Sequence, residues 1–73
     1  MPQVPLLSPK EVIKIFEKFG WNVARQKGSH IIMTKPNNIA TLSIPNHKEV
    51  ARGTLKSLIL KSGLSIEEFI NAV

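Results

Sequence analysis

The chain contains no cysteine, no aspartate and no tyrosine. Without thiols there is no disulfide framework, no thiolate zinc finger and no cysteine nucleophile. Such usage fits a reducing compartment, so the expected location is the cytoplasm. The two histidines form neither an H-x-x-x-H nor an H-x-H pair, and with no Asp or Cys beside them they are too few for a metal centre. The four glycines are isolated, which removes a phosphate-cradling loop, and no cofactor is expected. No apolar run approaches the ~18 residues of a membrane span. The opening MPQVPLLSPK has three prolines, two of them early, and no long apolar stretch, so no secretory leader is expected. Its 73 residues predict a single domain, 1–73, with a thin core, since a chain this short buries only about 60% of its unfolded surface.

What is present is positive charge. Ten Lys and Arg face five Glu, for a formal net charge of +5. Residues 20–62 hold seven of the cations (Arg25, Lys27, Lys35, Lys48, Arg52, Lys56, Lys61) against Glu49 alone, whereas residues 63–73 hold only Glu67 and Glu68. The middle of the chain therefore carries a field that favours polyanions, of which nucleic acid is the common one. Charge alone leaves mere solubility equally open.

Local signals divide the chain into six elements. Ser8-Pro9-Lys10-Glu11 reads as an N-cap, a proline at the first helical position and a capping-box glutamate. Val12, Ile13, Phe16 and Phe19 then mark a buried helical face, Gly20 ends the helix, and Leu6 or Leu7 is placed to staple its start. From Trp21 the period becomes two. Trp21-Val23-Arg25, Ser29–Lys35 and Ile39–Ile44 read as three strands, with turns at Lys27-Gly28 and Pro36-Asn37-Asn38 and with Pro45 as a stop. Short connections predict an antiparallel meander. A helix from Arg52 or Thr54 to Lys61 buries Leu55, Leu58 and Ile59 behind Val50. A second capping box, Ser65 to Glu68, opens a last helix burying Phe69, Ile70 and Val73. The predicted architecture is α+β, a two-layer α-β-β-β-α domain with helices on one face of a three-stranded antiparallel sheet.

With Lys27-Gly28 as the hairpin loop, Arg25 faces His30 and Val23 faces Ile32. Trp21, Val23, Arg25, His30 and Ile32 then share the apolar face that the helices cover. Trp21 reads as core rather than as a base-stacking platform. The next turn sets His30 opposite Ile44 or Pro45. His47 follows shortly after, so both histidines reach one end of the sheet, in a neighbourhood with Arg25, Lys27, Lys48 and Arg52. Imidazoles both take and give protons near neutrality. Cleavage of an RNA phosphodiester needs a base for the 2′-hydroxyl and cations for the transition state, and these residue types supply both. On residue chemistry alone the structural reading comes first: His30 reads more readily as a structural strand residue, and His47 more readily still as a solvated or turn-capping loop residue. A Ser–His–acid triad has only Glu49 as a nearby acid, which reads as a loop charge.

The set Arg25-Gln26-Lys27-Gly28-Ser29-His30, an apolar strand, Ile44-Pro45-Asn46-His47, Gly53-Thr54-Leu55 and Gly63-Leu64-Ser65 resembles the HicA (YcfA-like) toxin family. The resemblance runs from Leu7 to Phe69, and its pieces are specific only as a set. It implies a double-stranded-RNA-binding-domain-like fold and a toxin of a toxin–antitoxin pair that cleaves mRNA without a metal and arrests translation. It makes His30 the catalytic residue, Gly28 the turn that presents it, and a HicB antitoxin the masking partner. Ser29 and His47 match motif positions without a defined role. One departure is Pro36-Asn37-Asn38, where relatives often place a glycine.

The sequence thus leads to a metal-independent endoribonuclease, monomeric on its own and away from membranes. His30 is the acid or base, and Arg25, Lys27, Lys48 and Arg52 bind phosphates. The alternatives are a non-catalytic double-stranded-RNA-binding module and a basic docking surface for an acidic protein.

Overall fold

Ser8 caps the first helix as its spacing predicts. In the computed structural model, which describes residues 4–73, the Ser8 hydroxyl accepts from the Glu11 amide at 3.3 Å and the Glu11 carboxylate accepts from the Ser8 amide at 3.1 Å. Met1–Gln3, which belong to the opening read as carrying no leader, lie outside the described residues. The same reciprocal box joins Ser65 and Glu68. In both boxes the hydrogen bonds from the serine hold the carboxyl below its ordinary range.

Helix α1 covers Pro9–Lys18 and buries Pro9, Val12, Ile15 and Phe16. Ile15, absent from the expected face, completes an i, i+3, i+4 stripe with Val12 and Phe16, and Ile13 and Phe19 only flank it, partly buried. The helix ends in a Schellman arrangement. Trp21 donates to the Phe16 carbonyl at 3.1 Å and Gly20 to the Glu17 carbonyl at 3.1 Å, with Gly20 at φ +94°. This turns Trp21 straight into the core.

Strands β1 (Asn22–Lys27), β2 (His30–Thr34) and β3 (Thr41–Pro45) form an antiparallel sheet in the order β1-β2-β3. Ile39, expected to start the third strand, is fully exposed ahead of it. The β2–β3 turn is closed by Asn38 donating to the Lys35 carbonyl at 3.1 Å, with Pro36 second and Asn37 third at φ +63°. Asparagine tolerates the left-handed region better than most residues, which explains how this turn dispenses with glycine.

The first hairpin corrects the expected register. Its loop is Gly28-Ser29, not Lys27-Gly28, so Lys27 faces His30 and Gln26 faces Ile31. Gly28 has φ +60° while Ser29 does not, the pattern of a loop with glycine in its first central position. A bulge between Val23 and Arg25 adds Ala24 to β1. Together these shifts exchange the faces. Ile31 and Met33, opposite Ile44 and Leu42, turn toward the helices, and His30, Ile32, Arg25 and Lys27 turn away from them. Val23 keeps the phase of Trp21 but stays 47% exposed at the sheet edge.

Helix α2 (Arg52–Lys61) buries Leu55, Leu58 and Ile59, and α3 (Ile66–Asn71) buries Phe69. Phe69 meets Phe16 with ring centroids 5.3 Å apart and planes tilted by 53°, locking α3 onto α1. Ile70 is only partly buried, and Val73, expected in the core, is 62% exposed beyond the helix end. Leu7 rather than Leu6 packs inward, and its carbonyl accepts from Val50 at 2.9 Å, joining the N-terminal segment to the lead-in of α2. One hydrophobic cluster connects all three helices with β2 and β3. Among the described residues no helix is long and apolar enough to cross a membrane.

Candidate active site

The Gly28-Ser29 loop fixes where His30 stands. The histidine begins β2 immediately after the loop, with Lys27 directly opposite on β1 and Pro45 directly opposite on β3. Side chains paired in this way lie about 5 Å apart at their Cβ atoms on the same face. Lys27, His30 and Pro45 therefore form one cross-strand row at the hairpin end of the sheet, on the side that the helices leave open. Lys27 and His30 are exposed, and Pro45 is half-buried. Among the described residues neither imidazole of the chain makes a hydrogen bond to protein.

The loop after β3 is tied to this row. The Asn46 amide donates to the Ser29 carbonyl at 2.7 Å, so the backbone of Ser29 and Asn46 extends the ladder by one pair beyond His30 and Pro45. Ser29 thus has a structural role through its carbonyl. His47 follows Asn46 and is exposed, and the two histidines reach the same end of the sheet as expected. In the sequence only its place between Pro45 and His47 marks Asn46.

The four candidate cations divide. Lys27 is in the row of His30, and Arg25 is one row behind, opposite Ile32. Lys48 is exposed in the loop beside His47. Arg52 opens α2, where its Nε donates to the Val4 carbonyl at 2.9 Å. One of its donors therefore holds the N-terminal segment. No acidic residue occurs on any of the three strands, NVARQK, HIIMT and TLSIP. Glu11 and Glu17 are on α1, Glu67 and Glu68 on α3, and Glu49 lies in the loop before α2. An anion approaching the strands of the open face thus meets cations and an imidazole with no carboxylate among them, while the exposed Glu49 stands beside Lys48 in the loop that follows. Among the described residues no group of three or more His, Asp or Glu is arranged to hold a metal ion.

Trp21 is fully buried, and its Nε1 has no hydrogen-bond partner among the described residues. It is core, as its phase with Val23 predicts, and is not available to stack on a base.

These features define an α+β domain that displays a histidine on a basic, acid-free sheet surface. The family model described as the HicA toxin of bacterial toxin–antitoxin systems matches residues 9–64, and the chain belongs to this family. The match runs from the start of α1 past the end of α2 and includes every candidate site residue. Membership gives the chain the role of the toxin in a toxin–antitoxin pair. No curated protein matches the chain.

Proposed function

We propose that the chain is an endoribonuclease that cleaves mRNA, needs no metal, and is masked by a HicB-like antitoxin. The observation that carries this reading is the exposed His30, held between Lys27 and Pro45 on the open face by a two-residue loop. His30 takes the proton of a ribose 2′-hydroxyl. The 2′-oxygen forms its bond to phosphorus, the bond to the 5′-oxygen breaks, and that oxygen receives a proton from His47 or water. Lys27 stands where it neutralises the phosphoryl oxygens as charge builds on them. Arg25 and Lys48 hold neighbouring phosphates, and Arg52 contributes only the guanidinium nitrogens that Val4 leaves free. Gly28 and Ser29 position the histidine.

The test is incubation of a structured RNA with the protein in EDTA. Cleavage that is lost in His30→Gln supports the reading. Binding of duplex RNA without cleavage gives the double-stranded-RNA-binding module instead.

A further inference from the structure

Resting on the ribonuclease reading, we propose that the open sheet face is a track for single-stranded RNA. Its three cross-strand rows each carry one nucleotide, and Ile32, Ser43, Thr34 and Thr41 act as binding residues beyond the surroundings of His30. The first row is Lys27–His30–Pro45, the second Arg25–Ile32–Ser43, and the third Asn22–Thr34–Thr41. All turn away from the helices, because the alternating partners Ile31, Met33, Leu42 and Ile44 face the core. Rows on one face repeat about every 7 Å along a strand, close to the step between successive phosphates of an extended single strand.

The chemistry changes across the track. Arg25 and Lys27 line the β1 side and suit the phosphates. Ser43 and Thr41 line the β3 side, exposed, with hydroxyls that both donate and accept toward base edges. Ile32 lies between them, partly exposed, as an apolar floor. No carboxylate interrupts the face. The reaction also requires an unpaired strand. The attacking 2′-oxygen, the phosphorus and the departing 5′-oxygen must come into line, and a paired A-form strand holds its sugars away from that geometry.

The test separates this track from the catalytic reading. Two variants each lower the net charge by one: Thr41→Glu in the third row and Lys14→Gln on the exposed side of α1. Binding of an uncleavable 2′-O-methyl hexanucleotide should weaken roughly five- to tenfold in Thr41→Glu, where a carboxylate meets the strand, and change little in Lys14→Gln. The single-turnover cleavage rate should stay at the wild-type value in Lys14→Gln, whose side chain lies on α1, on the other layer from His30. In amide spectra of the wild-type protein the hexanucleotide should shift Ile32, Thr34, Thr41 and Ser43. Equal weakening in both variants, or shifts confined to α1 with a preference for an RNA duplex, overturns the track while leaving cleavage by His30 intact. Loss of cleavage in no His30 variant overturns the catalytic reading instead.

Discussion

Gly28 has open space where a Cβ would be, with no atom within 4 Å of that position. Its requirement is therefore conformational and not steric: φ of +60° costs a residue with a Cβ about 1–2 kcal/mol. Gly28→Val should lower stability by at least that amount in thermal unfolding, and Gly28→Asn by less, because asparagine tolerates this region. The variant should also lose cleavage, since the loop sets which face His30 occupies. A Gly28→Val protein with wild-type stability and activity would contradict the assigned turn. Histidine 30 itself illustrates what a residue pattern conveys. Its chemistry and its end of the sheet were legible from the chain, but its face was not. Glycine serves either central position of a two-residue loop, and a shift of one residue exchanges the faces. Nothing chemical marks Ala24 as the extra residue of a bulge, so the alternation of Trp21, Val23 and Arg25 points to a continuous face that the sheet does not have.

At the scale of elements, the helices were the most legible parts because their ends carry explicit chemistry. Both predicted capping boxes form, and α2 spans Arg52–Lys61 with the three predicted buried residues. Strand ends were less clear, since Ile39 is apolar yet exposed and only the sheet pairing decides where β3 begins. The capping boxes also make a pH prediction. The Glu11 and Glu68 carboxyls titrate below their ordinary value in the folded chain, because each accepts hydrogen bonds from its cap serine. The unfolded chain therefore binds protons first as acid is added. Their stabilisation is full above the ordinary carboxylate pKa, about 4.3, and is lost as pH falls through the lower folded values. Thermal unfolding from pH 7 to pH 3 should show this loss in the wild type, and the double variant Glu11→Ala, Glu68→Ala should show a shallower one. An unchanged acid slope in the double variant would mean that other groups dominate. Ser8→Ala, which removes the cap hydroxyl, should cost about 1 kcal/mol at neutral pH.

For the whole molecule, it is the carboxylates that are segregated. Six of the ten cations lie on α1 and α2 and only Arg25 and Lys27 lie on the strands, but four of the five glutamates lie on α1 and α3 and none on the sheet. The sheet should therefore receive a polyanion without repulsion from its own strands. If four to six cations contact phosphates, log affinity for single-stranded RNA should fall against log salt with a slope of roughly −3 to −4, and Arg25→Ala should reduce its size by about 0.7. A salt-independent affinity would contradict electrostatic docking on this face. The same field suits an acidic antitoxin, so toxin–antitoxin affinity should weaken with salt as well.

RNA cleavage as proposed here depends on proton transfer by His30. The most direct measurement is the single-turnover cleavage rate of a structured RNA in EDTA for wild type, His30→Gln and His47→Ala, with thermal unfolding of each. Glutamine keeps hydrogen bonding and most of the volume but cannot shuttle a proton. His30→Gln should unfold at the wild-type temperature, since the side chain is exposed and makes no hydrogen bond among the described residues. Its cleavage should fall by about 10²- to 10⁴-fold. A comparable loss in His47→Ala would assign it the second proton, and a loss in His30→Gln alone would leave that proton to water. Cleavage by His30→Gln at the wild-type rate would contradict the account.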